Sequence, residues 1–165
     1  MFDPTTYTGF HTWLSLVALA SGFLAVAGLL AGRERHGWTI LFLVTAIGTS
    51  ATGFGFPFQG ILPSHVVGAV ALLLLAVTLL ARYGRQLSGR WRGAYAVTMV
   101  ISLYLLAFVA VAQVFQKIPA FANTAPVGFA LAQLALLVAF ALLTMQAVKR
   151  FRLPDAPVPS LGHPA

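Results

Sequence analysis

The stretch GAYAVTMVISLYLLAFVAVAQVF, Gly93 to Phe115, decides the fold class of this 165-residue chain. It holds no Asp, Glu, Lys or Arg, and about 20 apolar residues at 1.5 Å rise each cross a hydrocarbon layer ~30 Å thick. Four more uncharged runs of similar length flank it. The five runs cover approximately residues 10–31, 38–55, 63–81, 93–115 and 126–148. The sequence therefore predicts an all-α bundle of five transmembrane helices, one domain over residues 1–152.

The overall composition excludes an ordinary soluble domain. Hydrophobic residues make up 59% of the chain, charged residues 8%, and the mean hydropathy is +0.90, whereas soluble domains have roughly a quarter of their residues charged. The net charge of +7 does not indicate nucleic-acid binding, because the basic residues lie between apolar runs. The chain has no cysteine, which excludes disulfides and thiolate chemistry.

The distribution of basic residues predicts the orientation. Nine of the ten lie in the first loop, the third loop and the segment after the fifth helix, and only Lys117 lies in a loop on the other side. The nine are Arg33, Arg35, Arg82, Arg85, Arg90, Arg92, Lys149, Arg150 and Arg152. Basic loops stay on the cytoplasmic side, so we expect the N-terminus outside and the C-terminus inside. We expect residues 153–165, with four prolines, to be disordered.

Small residues in the first helix indicate how it packs against other helices. Gly28 and Gly32 form a GxxxG pattern, which allows helix backbones to approach closely in a membrane. This spacing is compatible with a tight bundle, a homodimer or contact with a partner membrane subunit. Membrane lipid is the other expected partner.

Polar and aromatic residues concentrate at the predicted outer end of the bundle. Aromatic walls with a few convergent polar groups are typical of a site for a small amphipathic ligand, such as a quinone head group or a lipid. A rigid cap that closes the bundle is the alternative. The predicted ligand-binding residues are His11, Gln59, His65, Gln113 and Gln116.

His11 and His65 also allow a second hypothesis, one b-type haem held between two helices. Measured to the inner boundary of its own helix, His11 lies 22 residues or ~33 Å from Arg33, and His65 lies 17 residues or ~25 Å from Arg82. This difference of roughly 8 Å argues against a shared haem, although helix tilt absorbs part of it. The chain has no second histidine pair for a two-haem electron path, and we predict no metal site.

The sequence offers no catalytic residue. It lacks H-E-x-x-H, G-x-S-x-G and a phosphate-binding Gly-Lys loop, and no acid lies inside a predicted helix. Glu34, between Arg33 and Arg35, is expected to be solvated, as is His36. A channel for a small neutral solute is a third hypothesis, weakened because the third helix has only Thr78 below its histidine.

Several segments resemble one family. These are TGFGFPF (Thr52 to Phe58), LPSH (Leu62 to His65), the block from Arg90 to Ala120, and the closing KRFR. Together they resemble small bacterial multi-spanning membrane proteins, in the same order from about His11 to Arg152. The resemblance implies a multi-pass protein of a bacterial inner membrane and no particular activity.

Overall fold

The computed structural model describes residues 3–56, 63–118, 121 and 126–152. A π-helical turn, Leu80–Gly84, directly continues the third helix. Within the described residues the chain forms five α-helices: α1 Tyr7–Leu30, α2 His36–Gly53, α3 Pro63–Leu79, α4 Arg90–Lys117 and α5 Val127–Arg152. The predicted all-α fold with five helices is confirmed. The predicted disordered tail, 153–165, lies outside the described residues.

Four helical segments in the described part of the chain are long and apolar enough to cross a membrane. α2 is not among them, because five of its 18 residues carry hydroxyl groups, which lower its hydropathy. The four are Tyr7–Leu30, His65–Gly84, Arg90–Lys117 and Val127–Phe151. This composition indicates a membrane protein.

The outer surface of α5 suits lipid better than water. Only 11% of the most apolar stretch of this helix is buried inside the protein. Large apolar side chains are exposed along it: Leu131, Leu134, Leu137, Val138 and Leu142. Soluble monomers rarely expose contiguous apolar patches of more than a few hundred Å², so lipid is the natural solvent for this face.

The helices pack in chain order, and α5 returns to contact α1, which closes the ring. α4 also packs across the bundle against α1. At this crossing Gly22 of α1 is buried, and a Cβ there would lie 2.6 Å from Leu103 Cδ1 and 2.8 Å from the Phe42 ring. Leu103 and Phe42 are themselves fully buried, so a glycine is needed where the three helices meet.

The GxxxG pattern of α1 has a local role. Gly32 adopts φ +74°, the left-handed region that favours glycine. Its N–H donates to the Leu29 carbonyl, and the Arg33 N–H donates to the Gly28 carbonyl, which is the Schellman arrangement that ends a helix. Gly28 is buried against Arg35, whose Cγ would lie 2.9 Å from an added Cβ. Self-association through Gly28 and Gly32 stays a prediction.

The antiparallel helices give the bundle two different ends. α1 begins and α2 ends at one of them, which we call the cavity end, and the loops that follow α1 and α3 lie at the other, the basic end. At the basic end Arg82 pairs with Glu34, and an added Cβ on Gly32 would lie 3.6 Å from the Arg150 carbonyl oxygen. The three basic segments of the chain therefore meet at one end.

Candidate functional site

A cavity of about 110 Å³ opens at the cavity end between α1, α2, α3 and α4. Its lining combines two histidines and two hydroxyl residues with an apolar wall from α4. The polar lining residues are His11, Thr49, Ser50 and His65, and the α4 wall is Leu105, Leu106 and Val109. Sequence reasoning predicted that His11 and His65 share a site, and the structure places both side chains around this cavity.

His11 lies in the second turn of α1 and is fixed by α2. Its Nδ1 lies 2.8 Å from Thr52 Oγ1, and the Thr52 hydroxyl in turn donates to the Gly48 carbonyl at 2.7 Å. Because that hydroxyl uses its own hydrogen on Gly48, its oxygen accepts from His11 Nδ1–H. The network therefore assigns the hydrogen to Nδ1 and leaves Nε2 with a lone pair that accepts a hydrogen bond or binds a metal.

His65 lies in the first turn of α3 and is half-buried. The Phe54 ring stacks on its imidazole with the ring centroids 5.7 Å apart and the planes at 30°. Phe54 also lies close to α3 at Gly68, where an added Cβ would meet the phenyl ring at 3.3 Å. The end of α2 and the start of α3 together hold the second imidazole at the cavity.

The hydroxyl of Thr49 is the unusual polar group of the lining. Thr49 is 8% exposed, and its Oγ1 has no hydrogen-bond partner among the residues that the structure describes. Two other threonines of α2 donate to the preceding turn, Thr45 to the Leu41 carbonyl at 2.6 Å and Thr52 to the Gly48 carbonyl at 2.7 Å. A buried hydroxyl without a partner costs about 1–3 kcal/mol, and a ligand or a water in the cavity would remove that cost.

The predicted glutamines lie elsewhere. Gln113 and Gln116 are exposed on the last turns of α4 and do not line the cavity, and Gln59 lies outside the described residues. Gln133 of α5 is half-buried and donates from Nε2 to the Phe108 carbonyl of α4 at 3.0 Å. This amide joins two helices, which is a common use of glutamine in membranes.

The register of the two histidines differs from the sequence-based expectation. α1 ends at Leu30 before the first basic residue, and the π-helical turn carries the α3 segment on to Gly84. His11 and His65 are therefore each 19 residues from the inner end of their own helical segment. The expected mismatch of roughly 8 Å came from the positions of arginines, which do not mark the helix ends here.

The cavity volume limits the size of the ligand that fits between the two histidines. A cavity of about 150 Å³ accommodates a benzene ring, and pockets for drug-sized ligands begin near 300 Å³. The 110 Å³ here suits a head group or part of a ring, and a haem macrocycle requires the helices to separate.

Asp3, the acid near this end, is engaged elsewhere. Its carboxylate accepts from the Thr5 backbone N–H at 2.9 Å and from the Thr5 hydroxyl at 2.6 Å, which lowers the pKa of Asp3. No group of three or more His, Cys, Asp or Glu side chains that could hold a metal ion occurs within residues 3–56, 63–118, 121 and 126–152.

Sequence reasoning missed a polar cluster at the basic end. Arg82 Nε donates to Glu34 Oε1, and Tyr95 also donates to that oxygen at 3.3 Å. A second guanidinium nitrogen lies 2.6 Å from His36 Nδ1, and a third donates to the Tyr83 hydroxyl. Arg82 is 8% exposed and Tyr95 is fully buried. The expectation that Glu34 is solvated is therefore wrong.

The π-helical turn explains how Arg82 reaches Glu34. In the sequence RER, residues 33–35, the acid has two basic neighbours and no visible distant partner. The wider turn Leu80–Gly84 displaces the end of α3 from α-helical register, and Arg82 meets the loop after α1. The sequence offers one signal for this ion pair: Arg82 lies at a predicted helix end, and Glu34 lies in another loop on the same side of the membrane.

Comparison with protein-family models, with curated proteins and with solved structures gives no match.

Proposed function

We propose that the chain spans a bacterial inner membrane five times, with its N-terminus outside. The support for the fifth span is geometric: α1 and the α3 segment both have spanning length, and α2 runs antiparallel to α1 from Arg35 to the His11–Thr52 contact. The α2 hydroxyls that bond to carbonyls of the preceding turn are satisfied without water. The nine basic residues at one end support the orientation.

We propose further that this is a non-enzymatic membrane protein that binds a small amphipathic ligand in the cavity between His11, Thr49 and His65. One observation carries the proposal: the buried Thr49 hydroxyl, which has no partner among the described residues, lines the same small cavity as two imidazoles. Polar groups gathered in an otherwise apolar cavity mark a place where a ligand restores hydrogen bonds.

The donor and acceptor pattern favours a quinone-type head group. In the quinol form, Nε2 of His11 accepts from one ring hydroxyl, and the Thr49 hydroxyl donates to the oxygen of the other. The leucine and valine side chains of α4 supply apolar contacts for a substituent or for part of an isoprenoid tail. Because the cavity holds only part of such a ring, we expect the ligand to enter by its head.

The test is binding of a short-chain quinone and its quinol to the purified full chain in detergent, followed by calorimetry. We expect saturable binding of the quinol that falls about ten-fold in Thr49→Val, since one hydrogen bond is worth about 1–1.5 kcal/mol. Gln113→Ala is the matched control, because Gln113 is exposed and outside the cavity. Absence of saturable binding, or equal affinities in both variants, overturns the proposal.

A b-type haem between His11 and His65 is the second candidate. The equal distance of both histidines from the inner helix ends and the lone pair on His11 Nε2 favour it. It predicts a Soret band in the purified protein that disappears in His65→Ala, and a colourless protein after growth with excess haem removes it.

A further inference from the structure

A shallow surface groove lies at the basic end, on the opposite end of the bundle from the histidine cavity. It is wide open to the outside and lies along the start of α2, where it is lined by Arg35, His36, Gly37, Trp38 and Leu41. We propose that this groove, which we call the basic groove, binds one phospholipid with a negatively charged head group. The argument does not depend on the ligand of the histidine cavity.

Arg35 is the cation of the basic groove. Its stem packs over Gly28, where a larger residue would displace it, and the side chain is half-buried. No acidic residue pairs with its guanidinium within the described part of the chain, since Glu34 is taken by Arg82. An arginine with a fixed stem and no counter-ion is suited to a phosphate, to which it donates two parallel hydrogen bonds.

His36 adds a second donor because of its contact with Arg82. A guanidinium has only donors, so the His36 Nδ1 that lies 2.6 Å from Arg82 accepts a hydrogen bond. In the neutral ring the hydrogen is then on Nε2. The buried pair of Arg82 and Glu34 therefore orients His36 as a donor at the basic groove, beside Arg35.

An apolar face continues from the basic groove along α2. Trp38 is 43% exposed, Leu41 39% and Val44 63%, and their spacing of three residues places them along one side of the helix. Tryptophan is enriched at the level of lipid head groups. Arg35 and His36 thus meet the head group, while the ridge from Trp38 to Val44 meets an acyl chain.

Charge complementarity identifies the occupant as an anionic lipid. Nine of the ten basic residues lie at or beside this end, and such a concentration of basic residues attracts acidic lipid. A free anion would leave the exposed Trp38, Leu41 and Val44 uncovered, whereas a phospholipid covers both parts of the surface.

The experiment compares phosphatidylglycerol with phosphatidylcholine of identical acyl chains on the purified full chain, by native mass spectrometry. We expect preferential retention of phosphatidylglycerol, lowered about ten-fold in Arg35→Gln, which loses the charge-assisted hydrogen bonds to the phosphate. Arg90→Gln is the matched control, because it removes one exposed charge from the same end outside the groove.

A second variant tests the groove without changing charge. No atom lies within 4 Å of an added Cβ on Gly37, so Gly37→Leu is expected to fold normally and to fill the groove. Phosphatidylglycerol retention should fall in Gly37→Leu as in Arg35→Gln. Equal retention of both lipids by the unmodified chain, or retention in Gly37→Leu equal to that in Arg90→Gln, overturns the proposal.

Discussion

The main polar clusters at the two ends of the bundle differ in how they are satisfied. Apart from these clusters, the Thr39 hydroxyl and Arg92 Nε at the basic end are also buried without a hydrogen-bond partner among the described residues. At the basic end Glu34, Arg82, Tyr95 and His36 bond to one another, so a charged cluster is satisfied inside the protein. At the cavity end the Thr49 hydroxyl has no partner in the described residues, and His11, which also lines the cavity, keeps a lone pair on Nε2. The comparison teaches that the first cluster is satisfied by its own members, whereas the second leaves hydrogen-bonding capacity, which is what our proposed ligand would use.

The largest expected effect on stability comes from breaking the Glu34–Arg82 ion pair at the basic end. In Glu34→Gln the Arg82 guanidinium stays buried without a counter-ion. We expect this to lower the free energy of unfolding by about 3–5 kcal/mol, the usual cost of breaking a buried ion pair. The free energy of unfolding, measured by denaturant titration in detergent micelles, checks this value.

The double variant Glu34→Gln with Arg82→Met is its control. Replacing both members of a buried pair by neutral groups is often nearly neutral, so we expect recovery of most of the lost stability. A loss below about 1 kcal/mol in Glu34→Gln would show that the pair is screened by solvent, and the contrast between the two ends would then disappear.

At the cavity end we expect a substitution to raise the free energy of unfolding, by less than the loss at the basic end. Thr49→Val removes a buried hydroxyl without a partner, so the free energy of unfolding without ligand should rise by about 1 kcal/mol, within the range for such groups. Quinol affinity should fall at the same time, a stability gain with a loss of function. Thermal melting with and without quinol measures both.

Thr45→Val is the control for that substitution. The Thr45 hydroxyl already donates to the Leu41 carbonyl, and Thr45 does not line the cavity. We expect neither stabilisation nor a change in quinol affinity. If Thr45→Val and Thr49→Val behave alike, the cavity hydroxyl has no special role.

The smallest effect concerns the attachment of α1 to α2 at the cavity end. An added Cβ on Gly55 would lie 2.0 Å from the Tyr7 hydroxyl, which donates to the Thr52 carbonyl at 2.5 Å. In Gly55→Ala this exposed tyrosine swings away, and we expect a loss of about 0.5 kcal/mol, the lower end of the range for one hydrogen bond. The melting temperature measures it.

Tyr7→Phe serves as the comparison for Gly55→Ala. It removes the same hydrogen bond and leaves the space at Gly55 open, so similar destabilisation is expected for the two variants. A cost for Gly55→Ala as large as that for Glu34→Gln would show that the cavity end is packed as rigidly as the basic end.

Sequence patterns were sufficient for the elements of the fold and for part of the site. Helix length and apolar content are local properties, so the five helices are visible in the uncharged runs. Alternating connections then place His11 and His65 at one end, because each is near the start of a helix that runs in the same direction. Their shared cavity agrees with this topology. Gln113 and Gln116 were predicted by the same logic, yet they are exposed and do not line the cavity, since end position does not specify a helix face.

What the sequence determined by itself is therefore the solvent and the connectivity: apolar runs of spanning length and basic residues gathered by the loops. The tertiary structure alone decided which polar groups meet. Glu34 and Arg82 are 48 residues apart and meet where Arg82 lies in the π-helical turn, whereas Thr49, beside the cavity, has no partner among the described residues. The physical reason is that hydropathy sums over single residues, while ion pairs and cavities depend on the rotation and register of whole helices against one another.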